Sequence, residues 1–221
     1  MAYDLEEQEQ LATLKDFWKK YGNLITWVLI IALGTYAAYN FWNYYQRKQS
    51  AEASNIYEQQ RAAIEAGDKA RIARTTGDIQ DKYGKTAYAQ MAALAAAKAA
   101  FDGNDLKGAK TQLQWVIDHG NEEYKSIAML RLSGVLLDEK QFDAALKLLD
   151  GEILPQFKAE VSDRKGDVLV AQNKIAEARA AYQAALDAMD ESNPGRQLVQ
   201  LKLDAIGGTP AKAAPAPKAA A

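Results

Sequence analysis

Cysteine is absent from this 221-residue chain, and histidine occurs once, at His119. The first absence removes any disulfide framework and any thiolate nucleophile. The second leaves no metal-ligand set, because one imidazole without a cysteine or a second histidine makes a poor site. At an expected helix end before Gly120, that imidazole suits the capping of carbonyls or a place in water. Proline is scarce as well: between residues 46 and 206 only Pro155 and Pro194 occur, so little there forbids long helices. A surplus of either charge is also missing. Twenty-seven Lys and Arg against 29 Asp and Glu give a net charge of −2, with the two signs interspersed. No basic stripe marks a nucleic-acid partner.

One absence is local. From Tyr21 to Gln46 no side chain is charged, and the middle of this window reads Leu24-Ile25-Thr26-Trp27-Val28-Leu29-Ile30-Ile31-Ala32-Leu33-Gly34. About 20 apolar residues at 1.5 Å per residue cross a hydrocarbon layer of about 30 Å as a helix. Aromatic rings with one wet edge suit the headgroup zones. Trp18, Tyr21 and Trp27 stand at one end, and Trp42, Tyr44 and Tyr45 at the other. Residues 23–45 are therefore expected to be a transmembrane helix in contact with the lipid bilayer. Ala32-Leu33-Gly34 offers the small-any-small pattern of a cleavage site, but Asp4, Glu6, Glu7 and Glu9 lead into the window and bulky aromatics follow it. A retained anchor is expected over a signal peptide. Lys15, Lys19 and Lys20 before the span, against Arg47 and Lys48 after it, favour a cytoplasmic residue 1–22 segment and a periplasmic remainder.

Beyond the span, residues 46–206 are rich in Ala, Leu, Lys, Glu and Gln, with apolar positions three and four apart. That pattern predicts helices throughout. Glycine- and asparagine-bearing breaks divide them into a continuation of the span through Glu65, a helix over 69–82, and three pairs. The pairs are 86–101 with 105–118, 122–138 with 141–150, and 157–172 with 174–189. A last helix over 194–206 is expected to cap the series. After Gly207-Gly208 a run of Ala, Pro and Lys through residue 221 lacks large apolar side chains and is expected to be a disordered tail.

The pairs repeat. Small residues Ala97, Ser133 and Gly166 are each followed twelve positions later by Ala109, Ala145 and Ala178. Leu106, Phe142 and Ile175 precede the second small residue by three, and Leu113, Leu149 and Tyr182 follow it by four. Antiparallel helices approach closely only where side chains are small, so such pairs mark crossing points. This pattern resembles the tetratricopeptide repeat. Asn104, Lys140 and Asn173 occupy the turn where that family prefers glycine. The expected fold class is all-α: an N-terminal transmembrane helix followed by a tetratricopeptide-like solenoid of helical hairpins.

Chemistry is hard to find. Glu122-Glu123, Asp138-Glu139 and Asp190-Glu191 fall at turns or helix starts, where they complement helix dipoles rather than converge in a cleft. Gly103 through Thr111 approaches a phosphate loop, but Ala109 separates the second glycine from Lys110 and no strand precedes it. No enzyme and no cofactor are expected. Stacked pairs instead offer a groove made by the first helix of each. By repeat phase Leu94, Lys98, Phe101, Gly134, Leu137, Asp167 and Val170 are its candidate residues.

The lysine-containing lead Leu14-Lys15-Asp16-Phe17-Trp18-Lys19-Lys20-Tyr21-Gly22-Asn23, the exit Trp42-Asn43-Tyr44-Tyr45-Gln46 and the repeat Asn104 to Trp115 together resemble the YfgM-like ancillary subunits of the SecYEG translocon. The resemblance implies an inner-membrane protein with a periplasmic repeat domain. It further implies work beside the SecYEG channel with the membrane-anchored chaperone PpiD on exported polypeptides. A generic scaffold for envelope complexes is the alternative that the same repeats would serve.

Overall fold

A computed structural model describes residues 5–208, with side chains from residue 7 onward. Nine α-helices and one short 3-10 turn occur among the described residues, and no strand. The expected tail lies outside them beyond Gly208. By internal packing the chain divides into two units, one through Glu52 and one from Ala53. Helix α1 (Leu5–Glu65) contributes to both.

In the first unit α1 carries the charge-free window. Its most apolar stretch has a mean hydropathy of 1.6, is long enough to cross a bilayer, and has none of its residues buried. Trp27, Leu29, Ile31 and Leu33 are exposed, as are the flanking Trp18, Tyr21, Trp42, Tyr44 and Tyr45. In water such a surface has no stabilising partner; in hydrocarbon it needs none. Thr26 and Thr35 donate their hydroxyl protons to the carbonyls of Gly22 and Ile31, each at 2.8 Å. The amide of Asn40 donates to Tyr36 at 2.9 Å. These three polar side chains thus find partners within their own helix, an arrangement that a hydrocarbon environment favours.

The second unit is a series of helical hairpins. The end of α1 from Ala53 is followed by α2 (Lys69–Tyr83), α3 (Ala87–Asp102) by α4 (Leu106–His119), and α5 (Glu122–Asp138) by α6 (Phe142–Leu149). After the 3-10 turn Pro155–Phe157 come α7 (Lys158–Ala171), α8 (Ile175–Ala188) and α9 (Arg196–Ala205). These bounds lie within two residues of those expected from the sequence. Side-chain caps explain several starts. Asp68, Thr86, Asp105 and Asn121 accept from the backbone N–H three residues on, which satisfies donors that the first turn leaves open.

One turn recurs between paired helices. Asn104, Lys140 and Asn173 take φ of 59°, 62° and 60°. In each, the N–H of that residue reaches the carbonyl three back, and the next N–H reaches the carbonyl five before it. This is the Schellman arrangement, whose left-handed residue is most often glycine. Gly67 and Gly207 take the same form at φ 67° and 77°. The turn therefore falls at 67, 104, 140, 173 and 207, at intervals of 33 to 37 residues. A Cβ in the left-handed region costs about 1–2 kcal/mol, and a lysine has no local side-chain bond to offset it. Lys140→Gly is expected to raise stability by about 0.5–1 kcal/mol once glycine's added unfolded-state entropy is subtracted. The urea midpoint of the soluble repeat region checks this, and Asn173→Gly should gain less because asparagine tolerates the left-handed region.

The small residues sit where the spacing placed them. Ala97, Ala109, Ser133, Ala145, Gly166 and Ala178 are all buried. At Gly166 the approach is closest, since an added Cβ would come 2.4 Å from Tyr182 Cε1. Larger side chains fill the space beside each crossing. Leu113, Val116, Ala128, Leu132 and Val135 form the central core, and Tyr182, Leu186, Val199 and Leu203 the C-terminal one.

The turn at Gly67 reveals a further hairpin, Ala53 to Tyr83, that spacing did not predict. Its two crossing positions hold Gln60 and Ile72 in place of small residues. Gln60 is fully buried and its amide donates to Thr76 Oγ1 at 2.7 Å and to the Ala92 carbonyl at 2.9 Å. A hydrogen-bonded side chain occupies the gap that alanine or glycine closes elsewhere.

Candidate functional site

Helices α3, α5 and α7 enclose a cleft of about 380 Å³. Each is the first helix of its hairpin. Ala97, Leu113 and Val135 form its apolar floor, and Lys98, Phe101, Arg131, Asp138 and Arg164 surround it. Gly134 lies in the middle of the α5 wall under the Arg164 guanidinium, whose Cζ would be in ordinary van der Waals contact, at 3.6 Å, with a methyl placed there. Phe101 is 40% exposed, one of three large apolar side chains in the second unit with so much surface in water.

Most of the charge around the cleft is paired. Lys98 Nζ pairs with Asp102 at 2.6 Å and Arg164 with Asp167 at 3.5 Å. The Arg131 side chain makes no hydrogen bond or ion pair among the described residues. Two of the three cations at the cleft are thus paired with carboxylates, which leaves Arg131 and Asp138 as its unpaired charges among those residues. The free Arg131 guanidinium beside an apolar floor suits a carboxylate-bearing segment with an aromatic or aliphatic anchor.

Of the residues expected from repeat phase, Lys98, Phe101 and Gly134 meet at this cleft. Leu94 is buried in the central core. Leu137 packs toward Ala145, Leu149 and Val168, and Val170 toward Tyr182 and Leu186. Asp167 lies in a network: it accepts from the Tyr182 hydroxyl at 2.9 Å and pairs with Lys202 at 2.8 Å. Lys202 also binds Asp163 at 2.8 Å, which fastens α9 to α7. Phase reasoning did not select Arg131, Asp138 or Arg164. The first two were findable, because 131, 134 and 138 share a helix face at spacings of three and four.

Burial first, and the hydrogen bond to Asp167 second, hold the Tyr182 hydroxyl far above the ordinary tyrosine range. The fold thus favours the neutral phenol. Its stabilisation is complete below pH 10, where the unfolded chain's tyrosine also keeps its proton, and is lost as pH rises past that value. Tyr182→Phe is expected to cost about 1.5 kcal/mol at neutral pH and to flatten the alkaline loss of stability above pH 10. Denaturant titrations at pH 7 and at pH 11 give both quantities.

Elsewhere the candidate chemistry resolves into architecture. His119 stacks on Trp115 with ring centres 4.8 Å apart, and its Nδ1–H donates to the Trp115 carbonyl at 2.9 Å. Both rings border an open groove between α4 and α6, floored by Met129, Leu132 and Leu136. At the stretch resembling a phosphate loop, the Gly108 N–H is taken by Asp105 Oδ1 at 2.9 Å, so a carboxylate stands where a phosphate oxygen would. Among the described residues no three His, Cys, Asp or Glu side chains are placed to share a metal.

Comparison with known proteins matches residues 15–208 to the tetratricopeptide repeat-like domain. A protein of Neisseria gonorrhoeae named ancillary SecYEG translocon subunit is 34% identical over 211 residues, covering 93% of this chain and all of that protein. Proteins of the same name from Haemophilus influenzae and Escherichia coli are 30% and 28% identical, covering 92% and 90% of this chain and 99% and 95% of theirs. With its apolar helix, its recurrent hairpins and this shared length, the chain belongs to the tetratricopeptide repeat-like family of ancillary SecYEG translocon subunits.

Proposed function

We propose that this protein is a single-span inner-membrane subunit that accompanies the SecYEG translocon, with residues 1–22 in the cytoplasm and the repeat domain in the periplasm. There it binds exported polypeptides in the cleft between α3, α5 and α7, beside a PpiD-like chaperone, and performs no chemistry on them. The observation that carries this proposal is the name shared by relatives that align over nine tenths of the chain. The lysine excess before the span supports the orientation.

Two physical effects would make such a subunit useful. Tethering turns the encounter with a membrane channel into a nearly intramolecular event, with local concentrations on the order of mM. A shallow, half-apolar cleft binds extended segments weakly, because much of the gain is offset by ordering them. Weak binding permits release.

Purification of the tagged full-length chain from membranes in a mild detergent tests the assignment. SecY, SecE and SecG should accompany it in near-stoichiometric amounts. Their absence, with outer-membrane assembly factors in their place, would instead support the scaffold alternative.

A further inference from the structure

Before the span, α1 carries an apolar stripe that the charge-free window does not include. Leu11, Leu14, Phe17, Trp18 and Tyr21 fall within an arc of about 120° around the helix at 100° per residue, and their exposures run from 39% to 62%. Glu7 shares that arc, so the stripe begins at Leu11. A straight continuation of the span would carry Leu11 about 18 Å beyond residue 23, leaving the stripe in water.

We infer that residues 11–21 lie flat on the bilayer as an interfacial helix that binds anionic lipid headgroups. The placement of charge selects this occupant. Lys15 lies about 40° beyond one edge of the stripe and Lys20 about 60° beyond the other, whereas Glu9, Asp16 and Lys19 project further round, toward the opposite face. Lysines at the edges of an apolar face reach headgroup phosphates while their stems lie along the acyl boundary. A second copy of the chain would meet the same lysines with its own, an unfavourable juxtaposition. Composition agrees: Trp18 and Tyr21 are side chains of the headgroup zone, and Phe17 is typical of the apolar face of an interfacial helix. Phe17 and Tyr21 already pack 5.0 Å apart, with Lys20 Nζ 5.3 Å from the Tyr21 ring.

The helix is also easiest to bend where this arrangement needs a bend. Gly22 lies between the stripe and the span, and glycine in a helix interior costs about 1 kcal/mol relative to alanine. The Gly22 carbonyl receives a second donor, the Thr26 hydroxyl at 2.8 Å, a contact that bends helices.

The inference rests on the anchored reading above, and the test separates the two. The full-length chain has no cysteine of its own, so a polarity-sensitive fluorophore can be attached singly after Leu14→Cys, Asp16→Cys or Ile30→Cys. The three proteins are reconstituted in vesicles of phosphatidylethanolamine and phosphatidylglycerol. The label at 14 should be blue-shifted, quenched by nitroxides near the lipid headgroup and shielded from aqueous iodide, the label at 16 open to iodide, and that at 30 quenched only by deep nitroxides. Adding Leu11→Glu should move the label at 14 into water and leave that at 30 unchanged. Exchange of phosphatidylglycerol for phosphatidylcholine should reduce the shielding at 14. Equal iodide quenching at 14 and 16 with 30 still buried would overturn the interfacial helix alone, as would self-quenching between copies at 14. Shielding at 14 that ignores lipid charge would overturn its headgroup binding. Loss of the deep signal at 30 would remove the anchor and the inference with it.

Discussion

Arginine in place of both Leu29 and Leu33 is expected to move the protein from the carbonate-resistant membrane fraction into the soluble or aggregated one. Both leucines are exposed on α1 near the middle of the charge-free window. A single arginine at the centre of a spanning helix costs about 2.5–3.5 kcal/mol on the insertion scale, and each lost leucine removes about 0.5 kcal/mol of favourable transfer. The pair therefore shifts insertion by about 7 kcal/mol, more than the remaining aliphatic residues supply. The hairpins from Ala53 onward should be untouched, so circular dichroism of the released protein should keep its helical signal apart from the span. Leu29→Ile with Leu33→Ile is the control and should remain in the membrane.

The second large effect is expected inside the repeat domain. Gln60→Ala should destabilise it by about 3 kcal/mol. The substitution opens a cavity at a fully buried position, for which truncations cost about 2–5 kcal/mol, and it removes the two donors that Thr76 and the Ala92 carbonyl receive. In a domain of this size the melting temperature should fall by about 6–12 °C. Gln60→Met separates packing from hydrogen bonding. Methionine keeps most of the volume and also removes the buried amide oxygen, which has no partner. Its cost should stay below about 1.5 kcal/mol. A Gln60→Met variant as unstable as Gln60→Ala would show that the hydrogen bonds, not the volume, hold this hairpin.

What the sequence made legible follows from how each feature is encoded. The long apolar helix, a candidate to cross a membrane, is written as an absence of charge over a long window. The three hairpins from Ala87 onward are written in paired small residues, and Ala97, Ser133 and Gly166 are buried at the crossings those positions imply. The helices ending at Glu65 and Tyr83 and the break between them were legible, but their crossing was not, because Gln60 satisfies it by a different interaction, one that spacing cannot announce. The turns supply the better ruler. A left-handed residue at 67, 104, 140 and 173 marks each of the four hairpins and another at 207 follows α9, yet only two of these five are glycine, so composition hides the series.

The cleft was half legible. Lys98, Phe101 and Gly134 meet there, but Leu94, one turn from Lys98, turns into the core. Repeat phase states which helix faces the groove. It does not state how far each side chain reaches, and that decides between Leu94, which fills the interior, and Arg164, which crosses from α7 to cover Gly134. Asp167 was selected for its position, but Tyr182 and Lys202 engage it in fastening α9.

The central proposal is that the repeat domain grips polypeptides leaving the channel. A photocrosslinking residue placed at Phe101 in the full-length protein, in cells holding a stalled secretory chain in SecYEG, tests that most directly. The stalled chain should be captured from position 101 and not from Lys147, which lies outside the cleft on α6. Capture at equal yield from both positions, or none from 101 while SecY still co-purifies, would contradict it.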